Sequence, residues 1–312
     1  MNIVILDGYT LNPGDLSWDW LNDYGRYTAY DRTPADKVKE RIEEADIVFT
    51  NKTTISREDL QGSKVRFISV LATGYNIVDI DAAREMSIPV SNVPTYGTKT
   101  VAQFTTAMLL ELCHHIGAHS TSVFQGDWSR HDDFCYTLYP QIELVGKTLG
   151  LYGLGRIGLA FAKIAEALGM EIIYHSRTKK DLPYTYVSLE DLFKQSDVLS
   201  LHSPLTEETE GVINKKHLSM MKSTALLLNS SRGQLVVEED LVDALNHGVI
   251  AGAALDVVRI EPMEENSPLL KAKNLIITPH IAWSTTEARI RIMNTTKENL
   301  DAFLKGEPVH VV

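Results

Sequence analysis

Three ionisable residues in the last third of the chain each stand just beyond an apolar run: Arg232 in "LLLNSSRGQLV", Glu261 in "AALDVVRIEPM" and His280 in "LIITPHIAW". An arginine can pair with a carboxylate and polarise a neighbouring carbonyl. A histidine donates a proton near neutral pH. A glutamate bonded to the far ring nitrogen orients that imidazole and favours its charged form. Supplied with a hydride donor, the three can reduce a 2-oxo acid. The hydride goes to the carbonyl carbon, and the histidine delivers a proton to the oxygen. A lone histidine at a strand end is more often structural, so the case rests on the company it keeps.

That company is set by the elements around it. Apolar, β-branched segments alternate with amphipathic ones along the whole chain, which predicts parallel strands joined by right-handed helical crossovers. The first half offers "NIVILDG", "DIVFTN", "VRFISVLAT" and "IPVSNVP" as strands, with helices over 35–45 and 78–87. One long helical pattern then fills 100–125, and an irregular aromatic stretch follows to about 141. From Thr148 a second alternation supplies "TLGLYG", "MEIIYHS", "DVLSLHS", "ALLLNSS", "GAALDVV" and "LIITPH", six strands that complete a doubly wound sheet. A last helix ends at Gly306. The expected fold is α/β, with two Rossmann-like or flavodoxin-like domains of doubly wound parallel sheet. The second is inserted into a discontinuous first, as 1–98 with 283–312 and 99–282. A cleft between two such domains is a usual ligand site. In open α/β sheets the carboxyl ends of the strands face the ligand crevice, which puts Arg232, Glu261 and His280 on one edge.

The hydride donor is read from "LYGLGRIGLAFAKIAEALG". Gly153, Leu154, Gly155, Arg156, Ile157 and Gly158 follow a strand and open a helix, the context that makes G-x-G-x-x-G a dinucleotide fingerprint. The helix N-terminus offers amide donors and a positive dipole end to phosphates. The NAD form of the motif wants an acid at the end of the next strand. Here that strand ends in His175, Ser176, Arg177 and Thr178, with no acid before Asp181. Arg177, with Ser176 and Thr178 as donors, suits a 2′-phosphate, so NADP(H) is expected to be preferred over NAD(H).

The chain resembles the D-isomer-specific 2-hydroxyacid dehydrogenases through "GLGRIG", "LHSPLTEET", "LLLNSSRGQLVVEEDLVDAL", "AGAALDVVRIEP" and "LIITPHIAW", which span nearly the whole cofactor domain. Within that family it is most similar to the glycerate dehydrogenases, or hydroxypyruvate reductases, through "LATGYNIVD", "NVPTYGTKTVAQ", "DWSRHDDFCYT", "HIAWSTTEAR" and "FLKGEPVHVV". The resemblance implies D-specific reduction of a short 2-oxo acid such as hydroxypyruvate or glyoxylate, with Arg232, Glu261 and His280 as the catalytic set. It implies cofactor contacts at His202, Ser203, Pro204, Thr209, Asn229, Ser230, Ser231 and Asp256. It implies that backbone amides at Thr73 and Gly74 meet the substrate carboxylate, with Lys52, otherwise a solvated loop lysine, as a further contact; Trp283, just beyond His280, reads either as a wall of the substrate pocket or as core packing. It also implies a homodimer that uses the long helix and the segment 128–140. The missing acid after the second strand departs from many members and touches cofactor choice, not reaction class.

Other readings stay open in the sequence: a dehydrogenase for another 2-oxo acid, or a dinucleotide-sensing binding protein of the same fold. A net charge of −11 argues against a nucleic-acid or anionic-membrane surface. No apolar run reaches a membrane span, and "MNIVILDGYT" reads as a first strand, not a leader. The two cysteines, Cys113 and Cys135, make neither a metal spacing nor a disulfide framework, and a cytoplasmic location is expected. His115 and His119 have a metal-like i, i+4 spacing, but no glutamate completes an H-E-x-x-H motif, so no metal site is expected.

Overall fold

The computed structural model describes residues 1–312. The chain forms two compact units, Met1–Tyr96 with Ser284–Val312, and Gly97–Trp283.

The first unit is built on strands β1 (Asn2–Ile5), β2 (Arg26–Ala29), β3 (Ile47–Thr50), β4 (Phe67–Val70) and β5 (Val90–Ser91), in the order β2-β1-β3-β4-β5 and all parallel. The central strands β3 and β4 are buried at every position, as a sheet covered on both faces requires. Strand β2 escapes the sequence pattern because "RYTA" is a mostly exposed edge strand with no apolar alternation. Helices α1 (Val38–Ile42) and α3 (Ile80–Glu85) are shorter than the patterns over 35–45 and 78–87, and α2 (Arg57–Leu60), capped by Ser56, lies outside them. The last helix, α10 (Thr286–Leu304), belongs to this unit. Thr285 caps it by accepting from the Ala288 N–H, and Phe303 stacks on Phe67 at 4.6 Å between ring centroids.

The second unit opens with α4 (Thr98–His114) and α5 (Ile116–Phe124). The expected single helix over 100–125 is broken. His115 takes a left-handed backbone, φ +48°, and its ring packs on Tyr139 at 4.5 Å. The Glu111 carboxylate accepts from the Gly117 N–H at 3.2 Å, so a side chain supplies the bond that the helix loses. Strands β6 (Thr148–Tyr152), β7 (Glu171–His175), β8 (Thr185–Tyr186), β9 (Val198–Leu201), β10 (Leu226–Asn229), β11 (Gly252–Leu255) and β12 (Leu275–Ile277) form one parallel sheet, ordered β12-β11-β10-β9-β6-β7-β8. Six of these match the expected strands, and β8 is a two-residue edge with no periodicity to announce it.

Alternate residues feed two cores. Leu149, Leu151, Leu226 and Leu228 join one apolar cluster, while Tyr152, Leu199, Leu201 and Leu227 join the other. This is the two-residue period of a sheet with helices on both faces. The strand order reverses between β6 and β9, and ligands of such sheets bind outside that point.

Gly150 shows how closely the faces pack. A β-carbon there would overlap the hydroxyl of Ser196, the residue that ends α7 (Leu189–Gln195). Gly150→Ala is expected to lose about 1–3 kcal/mol of stability through overpacking, seen as an earlier urea midpoint. An unchanged midpoint would show that α7 does not seat this closely on β6.

Candidate active site

His280 sits three residues beyond β12, and its Nδ1 is 2.6 Å from Glu261 Oε2. The other oxygen of Glu261 accepts from the Val258 N–H at 3.2 Å, so the carboxylate is tied to its own loop before it meets the ring. Glu261 is therefore the fixed partner, and Nε2 of His280 is the nitrogen left outside the pair. Both side chains are partly exposed, at 29% for His280 and 36% for Glu261, so solvent or a ligand can reach them.

The backbone that presents His280 is unusual. Its φ is +54°, a left-handed conformation that a non-glycine residue adopts at a cost of about 1 kcal/mol or more. The neighbouring Asp256 supplies the compensation. It follows β11 and is 1% exposed. Its Oδ1 accepts from the Thr278 hydroxyl at 2.6 Å and the Ile281 N–H at 2.9 Å, and its Oδ2 accepts from the Ala282 N–H at 2.8 Å. Its carbonyl accepts from the His280 N–H at 2.8 Å. One buried residue thus fixes the segment from Thr278 to Ala282. Burial holds the Asp256 carboxyl above its usual range, against the pull of its donors and the nearby His280.

Arg232 enters from β10, the strand beside β11, so Arg232, Asp256, Glu261 and His280 follow three adjacent strands at one edge. Its loop is fixed by Asn229, which is fully buried. Asn229 donates to the Arg232 carbonyl at 2.9 Å and accepts from the Ser231 N–H at 3.0 Å. Ser231 donates to the Ser203 carbonyl at 2.7 Å, and Ser230 meets the Thr105 hydroxyl at 2.9 Å. The Arg232 side chain is exposed, with Nη1 on the Ser231 carbonyl.

The glycine loop sits between β6 and α6 (Arg156–Ala167). A β-carbon at Gly153 would lie 2.7 Å from the His202 backbone, and one at Gly158 would lie 2.7 Å from the Gly153 carbonyl. These two glycines are demanded by internal packing. At Gly155 a β-carbon would meet no heavy atom within 4 Å. The loop is tight beneath and open above, which fits a diphosphate seated over Gly155 at the start of a twelve-residue helix. Lys180 braces this loop by donating to the Leu154 carbonyl at 2.6 Å, a contact that no sequence motif announces.

Other expected cofactor residues divide into two groups. The His175 ring lies inward, with Nδ1 on the Val187 carbonyl at 3.0 Å, between the rings of Tyr152 and Tyr186. The His202 ring is also used for packing, against Phe161 and with Nε2 on the Ser200 hydroxyl at 2.9 Å. Burial pushes its pKa down to about 4, so it is neutral at pH 7. By contrast, Arg177 and Thr178 are exposed, and the Ser176 hydroxyl turns back onto the Thr178 carbonyl at 2.8 Å. Thr209 caps the turn after Pro204, accepting from the Thr206 N–H and donating to the Pro204 carbonyl. Ser203 Oγ is buried with no partner, an orphaned polar atom beside the loop.

The remaining candidates fall outside this sheet edge. Lys52 and Thr73–Gly74 lie in loops of the first unit, after β3 and β4, and Trp283 closes the second unit. The loop of Lys52 is folded on Asp7, whose carboxylate accepts from the N–H groups of Asn51, Lys52 and Thr53 at 2.6–2.8 Å. The metal-like pair is otherwise engaged, because His119 uses one ring nitrogen on the His115 carbonyl and the other on the Leu138 N–H.

The Asp256 hub carries a prediction. Asp256→Asn puts an amide NH2 where a backbone or hydroxyl donor now points. It should lower kcat about 10–100-fold by shifting His280, with the fold retained by circular dichroism. A wild-type kcat would mean that the loop holds His280 without the carboxylate.

Residues 106–282 match the model of the D-isomer specific 2-hydroxyacid dehydrogenase NAD binding domain. The chain is 52% identical to a hydroxypyruvate reductase of Blautia hydrogenotrophica, covering 100% of this chain and 99% of that protein. It is 37% identical to a glycerate dehydrogenase of Methylorubrum extorquens, covering 99% and 98%. The fold superposes on an NADPH-dependent glyoxylate/hydroxypyruvate reductase of Sinorhizobium meliloti with a TM-score of 0.86, at 29% identity and covering 100% and 97%. With the glycine loop, the His280–Glu261 pair and these likenesses together, the chain belongs to the D-isomer specific 2-hydroxyacid dehydrogenases, oxidoreductases that act on the CH–OH group of 2-hydroxy acids.

Proposed function

We propose that this enzyme is a hydroxypyruvate reductase, or glycerate dehydrogenase in the reverse direction, that also accepts glyoxylate and prefers NADPH. The observation that carries the chemistry is the 2.6 Å bond from His280 to Glu261 at the edge that also bears the glycine loop. The 52% identity to a hydroxypyruvate reductase over the full length supports the substrate.

When bound, the nicotinamide cofactor supplies the hydride. The Nε2 of His280 holds the proton that goes to the carbonyl oxygen, and Glu261 steadies the imidazolium through Nδ1. Arg232 pairs with the substrate carboxylate and polarises the carbonyl. The amides of Thr73 and Gly74 receive the carboxylate, with Lys52 and Trp283 as further contacts. Gly153 to Gly158 take the diphosphate, and the loops of Ser203, Pro204, Thr209 and Asn229 to Ser231 line the cofactor. His175 and His202 serve by fixing the backbone on either side of the glycine loop, as their ring contacts suggest.

The NADPH preference rests on Arg177. Its guanidinium makes no bond within the chain, and Ser176 and Thr178 stand beside it where an NAD enzyme carries an acid. A homodimer is supported by the exposure of Phe124, Phe134, Ile116 and Trp128 at 90%, 87%, 61% and 51%, more apolar surface than a lone subunit usually leaves in one region. No helix is long and apolar enough to cross a membrane, and we place the enzyme in the cytoplasm.

Initial rates with hydroxypyruvate, glyoxylate, pyruvate and 2-oxoglutarate should rank hydroxypyruvate first. If it and glyoxylate were inert while another acid turned over, the substrate assignment would fail. In the same assay His280→Ala should lower kcat by about 10²–10⁴ with little change in cofactor affinity. Near-normal turnover would remove His280 from proton transfer. A higher kcat/KM with NADPH than NADH is expected, and Arg177→Ala should erase most of that ratio. A wild-type preference for NADH would overturn the cofactor assignment.

A further inference from the structure

The loop after β4 carries Thr73 and Gly74, and neither N–H makes a hydrogen bond within the chain. Two successive free amides form an anion-binding concavity only if their peptide planes are held. The Thr73 carbonyl accepts from Asn92 Nδ2 at 2.7 Å, and the Thr73 hydroxyl donates to the Val93 carbonyl at 2.8 Å. The Thr73–Gly74 peptide is trans, so the Gly74 N–H points opposite to the Thr73 carbonyl. By holding that carbonyl on the buried side, Asn92 turns the Gly74 N–H outward.

Asn92 is itself held from behind. It is 7% exposed and follows β5. Its carbonyl accepts from Asn299 Nδ2 at 3.0 Å, and Asn299, on α10, is fully buried. The Asn299 oxygen accepts from His310 Nδ1 at 2.8 Å. His310 in turn receives the Asn92 N–H on its carbonyl at 3.1 Å, and Ser91 donates to the Val309 carbonyl at 2.6 Å. Residues 309–312 thus lie as a short antiparallel edge against β5, bridged at Ser91 and Val311. With both asparagines buried, a linked chain of this kind fixes geometry because each amide has few other arrangements.

We propose that Asn92 is a positioning residue for substrate binding, aiming the Gly74 amide at the substrate carboxylate, and that Asn299 and the segment around His310 hold Asn92 in place. This rests on the assignment of Thr73 and Gly74 to that carboxylate. The motif "SNVPTYG" offers the asparagine, but nothing in its spacing points to Thr73, nineteen positions earlier.

The test uses Asn92→Asp, which keeps the shape but removes the donor, with Asn92→Ala and Asn299→Ala beside it. For both Asn92 variants the KM for hydroxypyruvate should rise about tenfold, equivalent to about 1.4 kcal/mol. The kcat should stay within about threefold and NADPH affinity should be unchanged. Asn299→Ala should give a smaller rise in the same direction. Hydrogen exchange at the Val78 and Val93 amides, which bond the Tyr75 and Ala72 carbonyls on either side of the loop, should quicken in Asn92→Asp, while strands β1, β3 and β4 keep wild-type protection. An unchanged KM, or a fall of kcat, cofactor affinity and melting temperature together, would overturn the proposal. The exchange measurement needs no turnover. If the wild-type enzyme reduced no 2-oxo acid, the assigned function would fail, while loop exchange would still decide whether Asn92 holds Thr73.

Discussion

The buried carboxylate of Asp256 is the constraint on which the proposed catalytic edge depends. A strand of three residues, β12, ends just before His280, and β12 is only partly buried. Such a short, half-covered strand cannot by itself hold the loop that follows it. Asp256 does so from the neighbouring strand, with three donors converging on its two oxygens and its own carbonyl on the His280 amide. Charge-assisted bonds are shorter and stronger than neutral ones, and here they offset both the left-handed backbone at His280 and the desolvation of the acid. The ring then meets Glu261, which is anchored separately at Val258. His280 follows β12, while Asp256 and Glu261 both follow β11, so the pair is held from two adjacent strands.

The first unit repeats the device. Asp7 follows β1 and gathers the three successive N–H groups that follow β3. The sheet order there, β2-β1-β3-β4-β5, reverses between β1 and β3, so the carboxylate closes the two loops at the reversal point. In the second unit the loops at the reversal point, after β6 and β9, are closed by close approach instead. Gly153 lies against the His202 backbone, and the His202 ring fills the space beside Gly158. A charged imidazole there would lose its hydration without gaining a partner acid, which is why burial drives the ring to its neutral form. The contribution of that buried neutral ring to stability is present above the ordinary histidine range and is lost as pH falls from there towards about 4.

Residue type and spacing were enough for much of this. G-x-G-x-x-G between strand and helix nominated the cofactor loop that we propose, and the three ionisable residues after apolar runs nominated the proposed catalytic edge, because the two-residue and 3.6-residue periods encode strands and helices locally. Elements without a period were not legible. Strand β2 is exposed and polar, β8 is two residues long, and the helix break at His115 depends on Glu111 and Tyr139 from outside the local pattern. The rings of His175 and His202 read as cofactor contacts in one dimension and lie in packing in three.

The sequence by itself determined the family and the reaction class and nominated Arg232, Glu261 and His280, since these depend on residue types at strand ends and on a glycine pattern read over a few positions. The tertiary structure decided how each is held. Asp256 reaches His280 across twenty-four positions, Asn92 reaches back nineteen to Thr73, and Lys180 reaches back twenty-six to Leu154. These are buried or loop polar groups whose partners lie on adjacent strands or neighbouring loops. A hydrogen bond forms where a donor and an acceptor are brought within about 3 Å, and only the folded chain sets that distance.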